Sequence, residues 1–300
     1  MKFLRKIIKN NNYKVIVGIL IGGVIFGGGV YASVVSSGNV TYSNSTSGIA
    51  SNNVQSAIDA IYKMSGDTNI SAPSSFSTDS WATIAIAAKS SSYPYQDYPY
   101  KVGDTKTVNL GSLGTHTVRI ANLSTCSLQS QTACGFVIEF ADIITTHQMN
   151  SSETNVGGWP SSFMRAYLNS TIYNALPKVL QQSIIKTTVV SGHGSSDSSN
   201  FSSTDKLYLL SMKEVFGGTP SYDTANATTV QLDYYKAKNV TSSSYSSAIK
   251  KYNGSNSIWW LRSAISNGNF TFFIMNPNGD FIDYTNANKS YGVSPAFRIA

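Results

Sequence analysis

A mixed α+β domain behind a membrane anchor is the architecture this 300-residue sequence predicts. Three observations point to it. An uncharged apolar run fills residues 15–35. The stretch 161–176, "SSFMRAYLNSTIYNAL", repeats Met164, Leu168 and Ile172 every fourth position, the spacing of one helix face. The last forty-odd residues hold several short apolar or alternating runs separated by Asn, Gly and Pro, the pattern of antiparallel strands. Helices in the middle and strands clustered at the end indicate segregated α+β rather than alternating βαβ units.

The N-terminus carries Lys2, Arg5, Lys6, Lys9 and Lys14, with no acidic residue before Asp59. Residues 15–35 come next, long enough for a helix of about 30 Å, the thickness of a bilayer core. Basic residues ahead of such a run stay cytoplasmic, which sends the remainder outside. The segment is read as a single-pass anchor over residues 1–35. The alternative is a secretory signal cut after Ala32, where Val30 and Ala32 supply the small-residue pattern. Either route exports the rest of the chain. The net charge of +7 comes mainly from this end: without its five cations, 17 basic residues face 15 acidic ones. That near-balance leaves no basic stripe for a phosphate backbone, so nucleic acid is not an expected partner.

Residues 36–77 read as a polar stalk interrupted by a short helix at 52–64, where Val54, Ile58 and Ile61 form a narrow stripe. So thin a stripe needs a partner, and a homotrimer through residues 50–64 is one solution. Cys126 and Cys134 are the only cysteines. Outside the cell a disulfide is permitted, and a Cys126–Cys134 bond closing a short loop is the expectation, with two free thiols as the alternative. With no histidine between them they make a poor zinc site, and neither metal nor cofactor is expected.

The main domain, 78–300, opens with a helix at 81–89. Strands lie at 106–110 and 116–123, then come the apolar run "GFVIEFADI" and the helix 161–176. Pro177 starts a second short helix at its first position, where a missing N–H is harmless. "IKTTVV" is a strand. "DKLYLLSMKEVFG" is a strand leading into a helix, with Ser211 and Glu214 at capping-box spacing. Residues 217–256 read as an irregular surface excursion. "IWWLRSA" is a strand, "FTFFIMNPNGDFIDYTN" a hairpin, and "GVSPAFRI" one closing strand.

In a half-buried strand Trp259 and Leu261 face one way, Trp260 and Arg262 the other. Trp259 is assigned to scaffold. Trp260 and Arg262 are the candidates for an aromatic platform, with pairing of Arg262 to Glu214 or Asp205 as the competing scaffold role. Trp159 is placed at the helix start, with Arg165 tying that helix to the sheet. The other candidate ligand contacts are Asn267, Asn269, Asn278, Asp280, Asp283, Tyr284, Asn286 and Asn288, because Asn, Asp and Tyr at loops and strand ends suit sugar hydroxyls and adaptable protein contacts. Catalysis is not expected. No serine lies in a nucleophile elbow, and His116, His147 and His193 lack metal-ligand spacing.

"YKVGD" (100–104), "GGW" (157–159) with Met164, Arg165, Leu168 and Asn169, "DKLYLLSMKEV" (205–215), "WWLRS" (259–263) and "GVSPAF" (292–297) occur in this order. Together they resemble an uncharacterised family of bacterial and phage-associated domains named only for its unknown function, over residues 79–300. Where members usually carry Gly-Val-Arg-Pro, this chain has Ser294 in place of the arginine. The order of the last motifs is also similar to the C-type-lectin-like fold of formylglycine-generating-enzyme-like proteins. That resemblance implies a receptor or adhesin module; the copper-binding cysteine pair of the enzymatic branch is not matched. The stretch "VTYSNSTSGIASNNVQSAID" resembles stalk elements of phage tail fibres. The expected protein is therefore an exported, membrane-anchored surface module that recognises a glycan or protein. The alternatives are a phage-derived trimerising component and a cell-surface hydrolase.

Overall fold

The computed structural model describes residues 40–41, 53, 72–89, 99–123, 135–194, 197–218, 229–277 and 283–300. The chain forms two compact units, Met1–Thr68 and Asn69–Ala300. In the first, an antiparallel bridge joins Thr41 to Asn53. The expected anchor, the rest of the 52–64 helix, both cysteines, Asn278 and Asp280 lie outside the described residues. Among the described residues no helix is long and apolar enough to cross a membrane.

The second unit is the expected α+β mixture, dominated by sheet. Order begins ahead of residue 78. Phe76 is buried, and the Asp79 carboxylate accepts from the backbone N–H groups of Ser74 and Ser75 and from the Tyr100 hydroxyl. Helix α1 (Trp81–Lys89) buries Trp81, Ile84, Ala87 and Ala88. Strands β1 (Thr105–Asn109), β2 (Thr115–Asn122) and β3 (Phe136–Phe140) form an antiparallel meander. Strand β4 (Thr145–Gln148) comes next.

The helix expected at 161–176 is present but not uniform. It runs as α2 (Phe163–Tyr167), a π turn (Leu168–Ile172) and α3 (Tyr173–Ala175). The widened turn carries Asn169, whose amide grips a neighbouring segment. Its Oδ1 accepts from the N–H groups of Lys206 and Leu207, and its Nδ2 donates to the Leu207 carbonyl. A π turn at such a side-chain contact has a local cause. Pro177 caps α4 (Lys178–Ser183) from the position before its first residue, accepting through its carbonyl from Leu180 and Gln181.

Strand β5 (Ile184–Ile185) precedes the ribbon β6 (Thr187–Gly194) and β7 (Asp197–Asp205). Strand β8 (Tyr208–Leu209) leads into α5 (Met212–Phe216), where both hydrogen bonds of the expected capping box are formed. The segment 217–256 departs from expectation. Residues 229–256 contain α6 (Asp233–Ala237) and a hairpin of β9 (Lys250–Tyr252) with β10 (Ser255–Ser257). They bury Leu232, Tyr235, Val240, Ala248 and Lys250. Sparse apolar residues hid this contribution to the core.

Strand β11 (Trp259–Ala264) is buried at every position, β12 (Thr271–Met275) pairs antiparallel with it, and β13 (Asp283–Asn286) pairs with β12. "GVSPAFRI" is not one strand. It divides into β14 (Ser290–Val293) and β15 (Pro295–Ile299), which belong to different sheets. Ser294, between them, is fully buried. One sheet has the order β1-β2-β3-β15-β5, with β8 also on β15; the other has the order β13-β12-β11-β14-β4. The pair β11–β14 is parallel, so the C-terminal sheet is not purely antiparallel.

The crossover from β14 is tight. A Cβ on Gly292 would lie 2.6 Å from Ile143 Cδ1 and 2.7 Å from the Ile258 carbonyl oxygen. Gly292→Ala is therefore expected to cost about 1–3 kcal/mol by overpacking. Gly268→Ala, whose Cβ would meet its nearest atom at 3.6 Å, should stay within about 0.5 kcal/mol. Urea-denaturation midpoints of the two variants test the contrast.

Candidate binding groove

The charged residues of the interior are committed to the scaffold. Glu139 is fully buried on β3. Its Oε1 accepts from Arg119 Nε at 2.9 Å, and its Oε2 accepts from Lys250 Nζ at 2.7 Å and the Tyr235 hydroxyl at 2.8 Å. Lys250 Nζ also donates to the Phe140 carbonyl and to Ser294 Oγ at 2.8 Å, and lies over the Trp259 ring. Burial alone would raise the Glu139 carboxyl, but the charges of Arg119 and Lys250 outweigh it and hold the carboxyl below its ordinary value. The cluster has two cations for one anion, and Lys250 is the cation that yields. Desolvation pulls its ammonium down to about 8 despite the pull of Glu139.

A second buried pair joins Arg262 to Glu214. Arg262 donates further to the carbonyls of Leu209 and Val190 and to Ser191 Oγ. A third joins Arg165 Nε to Asp205 at 2.5 Å; Asp205 also accepts from Trp159 Nε1 and Ser203 Oγ. Trp260 is fully buried, with its Nε1 donating to the His147 carbonyl and its ring edge-on to Tyr291. Neither Trp260 nor Arg262 presents a face to solvent, so the aromatic platform expected there does not form from these two side chains. Trp259 is fully buried as well, its Nε1 donating to the Ala248 carbonyl. His147 stacks on Tyr167 with ring centres 3.9 Å apart.

The surface loops divide between two ends of the β13-β12-β11-β14-β4 sheet. Asn267 and Asn269 lie in the β11–β12 loop, and Asn286 and Asn288 at the β13–β14 connection, at the same end. The buried Asn155 amide fixes the first loop by donating to the carbonyls of Ile265, Gly268 and Thr271. Asn286 Nδ2 donates to Glu153, and the Asn288 carbonyl accepts from Gln148. Tyr284 on β13 is 49% exposed. Asp283 opens β13 at the other end, as the hairpin connection requires. The expected contacts therefore do not form one patch.

A groove of about 300 Å³ opens elsewhere, between the β9–β10 hairpin and the β14–β4 pair. The hairpin contributes Tyr252, Asn256 and Ser257, and the next residue, Ile258, floors it; the opposite wall is Thr146 and Ser290 to Gly292, with Pro277 at one side. Among the described residues no acidic or basic side chain lines it. Both walls are pinned from beneath by one ammonium. Lys250 starts β9 two residues before Tyr252, and its partner Ser294 directly succeeds β14. The seam between the walls is closed by the Gly292 N–H donating to the Ile258 carbonyl at 3.0 Å.

The sequence profile of the family "Domain of unknown function (DUF6273)" matches residues 136–300, more than half of the chain. The chain belongs to this family. No curated protein and no solved structure matches the sequence significantly. The DUF6273 region begins with β3 and contains every residue that lines the groove. It leaves out α1, β1, β2 and the "YKVGD" motif, although β2 pairs with β3 in one sheet.

Within the DUF6273 region, sequence reasoning missed Tyr252, Asn256, Ser257, Thr146 and Ser290. One signal was readable. Asn253-Gly254 carries positive φ at both residues, 49° and 82°, as a two-residue type I′ hairpin requires. Lys250 carried no such signal, because an isolated lysine in a polar segment ordinarily lies in solvent.

The buried cluster responds differently to the loss of each partner. Glu139→Gln leaves Arg119 and Lys250 without their counter-charge and should cost about 3–5 kcal/mol. Lys250→Met should cost less, since Arg119 and Tyr235 still satisfy Glu139; denaturant unfolding at neutral pH compares them. Between pH 8 and 10.5 the unfolded chain holds a proton on Lys250 that the folded chain releases, so this group makes stability rise with pH. The stability of the unsubstituted protein should therefore climb relative to Lys250→Met across that window. As pH falls below 4.5, the contribution of the Glu139 carboxylate should be lost.

Proposed function

We propose that the DUF6273 region is the ligand-binding head of an exported, membrane-tethered surface protein that acts as an adhesion or recognition module. The observation that carries this reading is the division of labour in the head. The buried charges of Arg119, Glu139, Glu214, Lys250 and Arg262 are paired inside, and buried Asp205 is paired with the half-buried Arg165, while the groove offers tyrosines, hydroxyls and an amide to solvent. Such a surface binds by shape and hydrogen bonding. Among the described residues no cluster of His, Cys, Asp or Glu is arranged to hold a metal ion.

Export is supported by the apolar run at 15–35 behind five cations and by a charged-residue content of only 12%. We further read the head as a variant of the C-type-lectin-like fold. Its support is the order of the closing elements: β8 into α5, the double-tryptophan strand β11, the hairpin β12–β13, and β14–β15 at the end.

Cell fractionation tests the topology. Full-length protein is expected in the membrane fraction, and protease added to intact cells should remove the head. Recovery of the whole chain from the cytosol, protected from protease, overturns the reading.

A further inference from the structure

We infer that the groove binds a neutral sugar unit, stacked on Tyr252 and Tyr291 and held by side-chain hydroxyl and amide groups without a metal ion. This inference rests on the reading of the head as a binding module.

Charge complementarity is the first argument. Among the described residues no side chain that is ionised at neutral pH lines the groove. A phosphate, a uronate or a charged peptide would give up hydration with no countercharge to replace it. The composition of the walls is the second. Ile258, Pro277 and the two tyrosines give apolar faces, while Thr146, Asn256 and Ser290 give short donors and acceptors. A pyranose ring has both characters, an apolar C–H face and a rim of hydroxyls. A volume of about 300 Å³ is at the small end of ligand pockets, roughly 300–1,000 Å³.

The third argument separates a sugar from an extended peptide. Peptides that add to a sheet need an unpaired strand edge. Strand β14, which forms one wall, is paired along its length with β4 and meets β11 at Gly292, whose N–H is given to Ile258. The opposite wall offers the edge of β10, which is three residues long, and an edge strand so short is a poor template for an added strand. A cation bridge of the kind that joins oxygen ligands to sugars draws on carboxylates, and among the described residues none lines the groove.

The test uses full-length protein in phosphatidylcholine nanodiscs. It is applied to an array of neutral oligosaccharides, sialylated and uronic-acid glycans and proline-rich peptides, with and without EDTA. The expected result is retention on neutral glycans, unchanged by EDTA. Asn256→Ala and Ser290→Ala, both at exposed positions, should each weaken binding by about fivefold, the worth of one hydrogen bond. Tyr252→Phe should retain binding and Tyr252→Ala should lose it, with melting curves confirming that each variant is folded. Retention on acidic glycans alone, loss in EDTA, or groove-dependent capture by peptides overturns the sugar assignment and leaves the binding module standing. Capture by none of the three classes, or capture indifferent to every groove variant, overturns both.

Discussion

One carboxylate, that of Glu139 on β3, gathers side chains from three other elements onto a single buried point. It is reached by Arg119 from β2, Tyr235 from α6 and Lys250 from β9. Through Lys250 and Ser294 the network extends to the joint between the two large sheets. Buried ion clusters are poor sources of net stability, because desolvation offsets much of the attraction. Their geometric demand is strict, however. Each partner has to arrive at a fixed position or leave a charge unpaired in a medium of low dielectric. The cluster thus acts as a register device, and the groove inherits that register because Lys250 and Ser294 adjoin its two walls.

The same network gives a physical meaning to the residue at position 294. A serine there is small enough to leave room for the Lys250 ammonium, and its hydroxyl both accepts from Lys250 and donates to the Phe140 carbonyl. The resembling family usually has an arginine at this point. Here a cation reaches the buried site from β9.

Much of the scaffold was legible in the sequence. The four-residue spacing of Met164, Leu168 and Ile172 gave a helix. The Ser211-x-x-Glu214 pattern gave a formed capping box, and Glu214 was among the acids foreseen for Arg262. Less was legible of the groove. Tyr252, Asn256, Thr146 and Ser290 come from three separated segments, and no local pattern announces a wall built by non-adjacent strands. The reading of "GVSPAFRI" as one strand failed for a related reason. Composition marks the run as extended, and Pro295 marks a place where ladder pairing is interrupted, but nothing local states that the chain changes sheets at that point. The polar stretch 229–256 reads as surface because a buried lysine is recognisable only from the acid that receives it.

The position of β15 has a bearing on how the molecule comes into being. This strand follows every other strand of the larger sheet in sequence, yet it lies between β3 and β5, and its Ala296 pairs with Glu139 across 157 positions of sequence. Without those residues β3 shows an unpaired edge and β5 and β8 lose their partner. Closure of so long a loop is slow. The larger sheet is thus completed only by a contact between distant parts of the chain, and a fragment that stops short of residue 295 would leave β3 with a bare edge open to another copy.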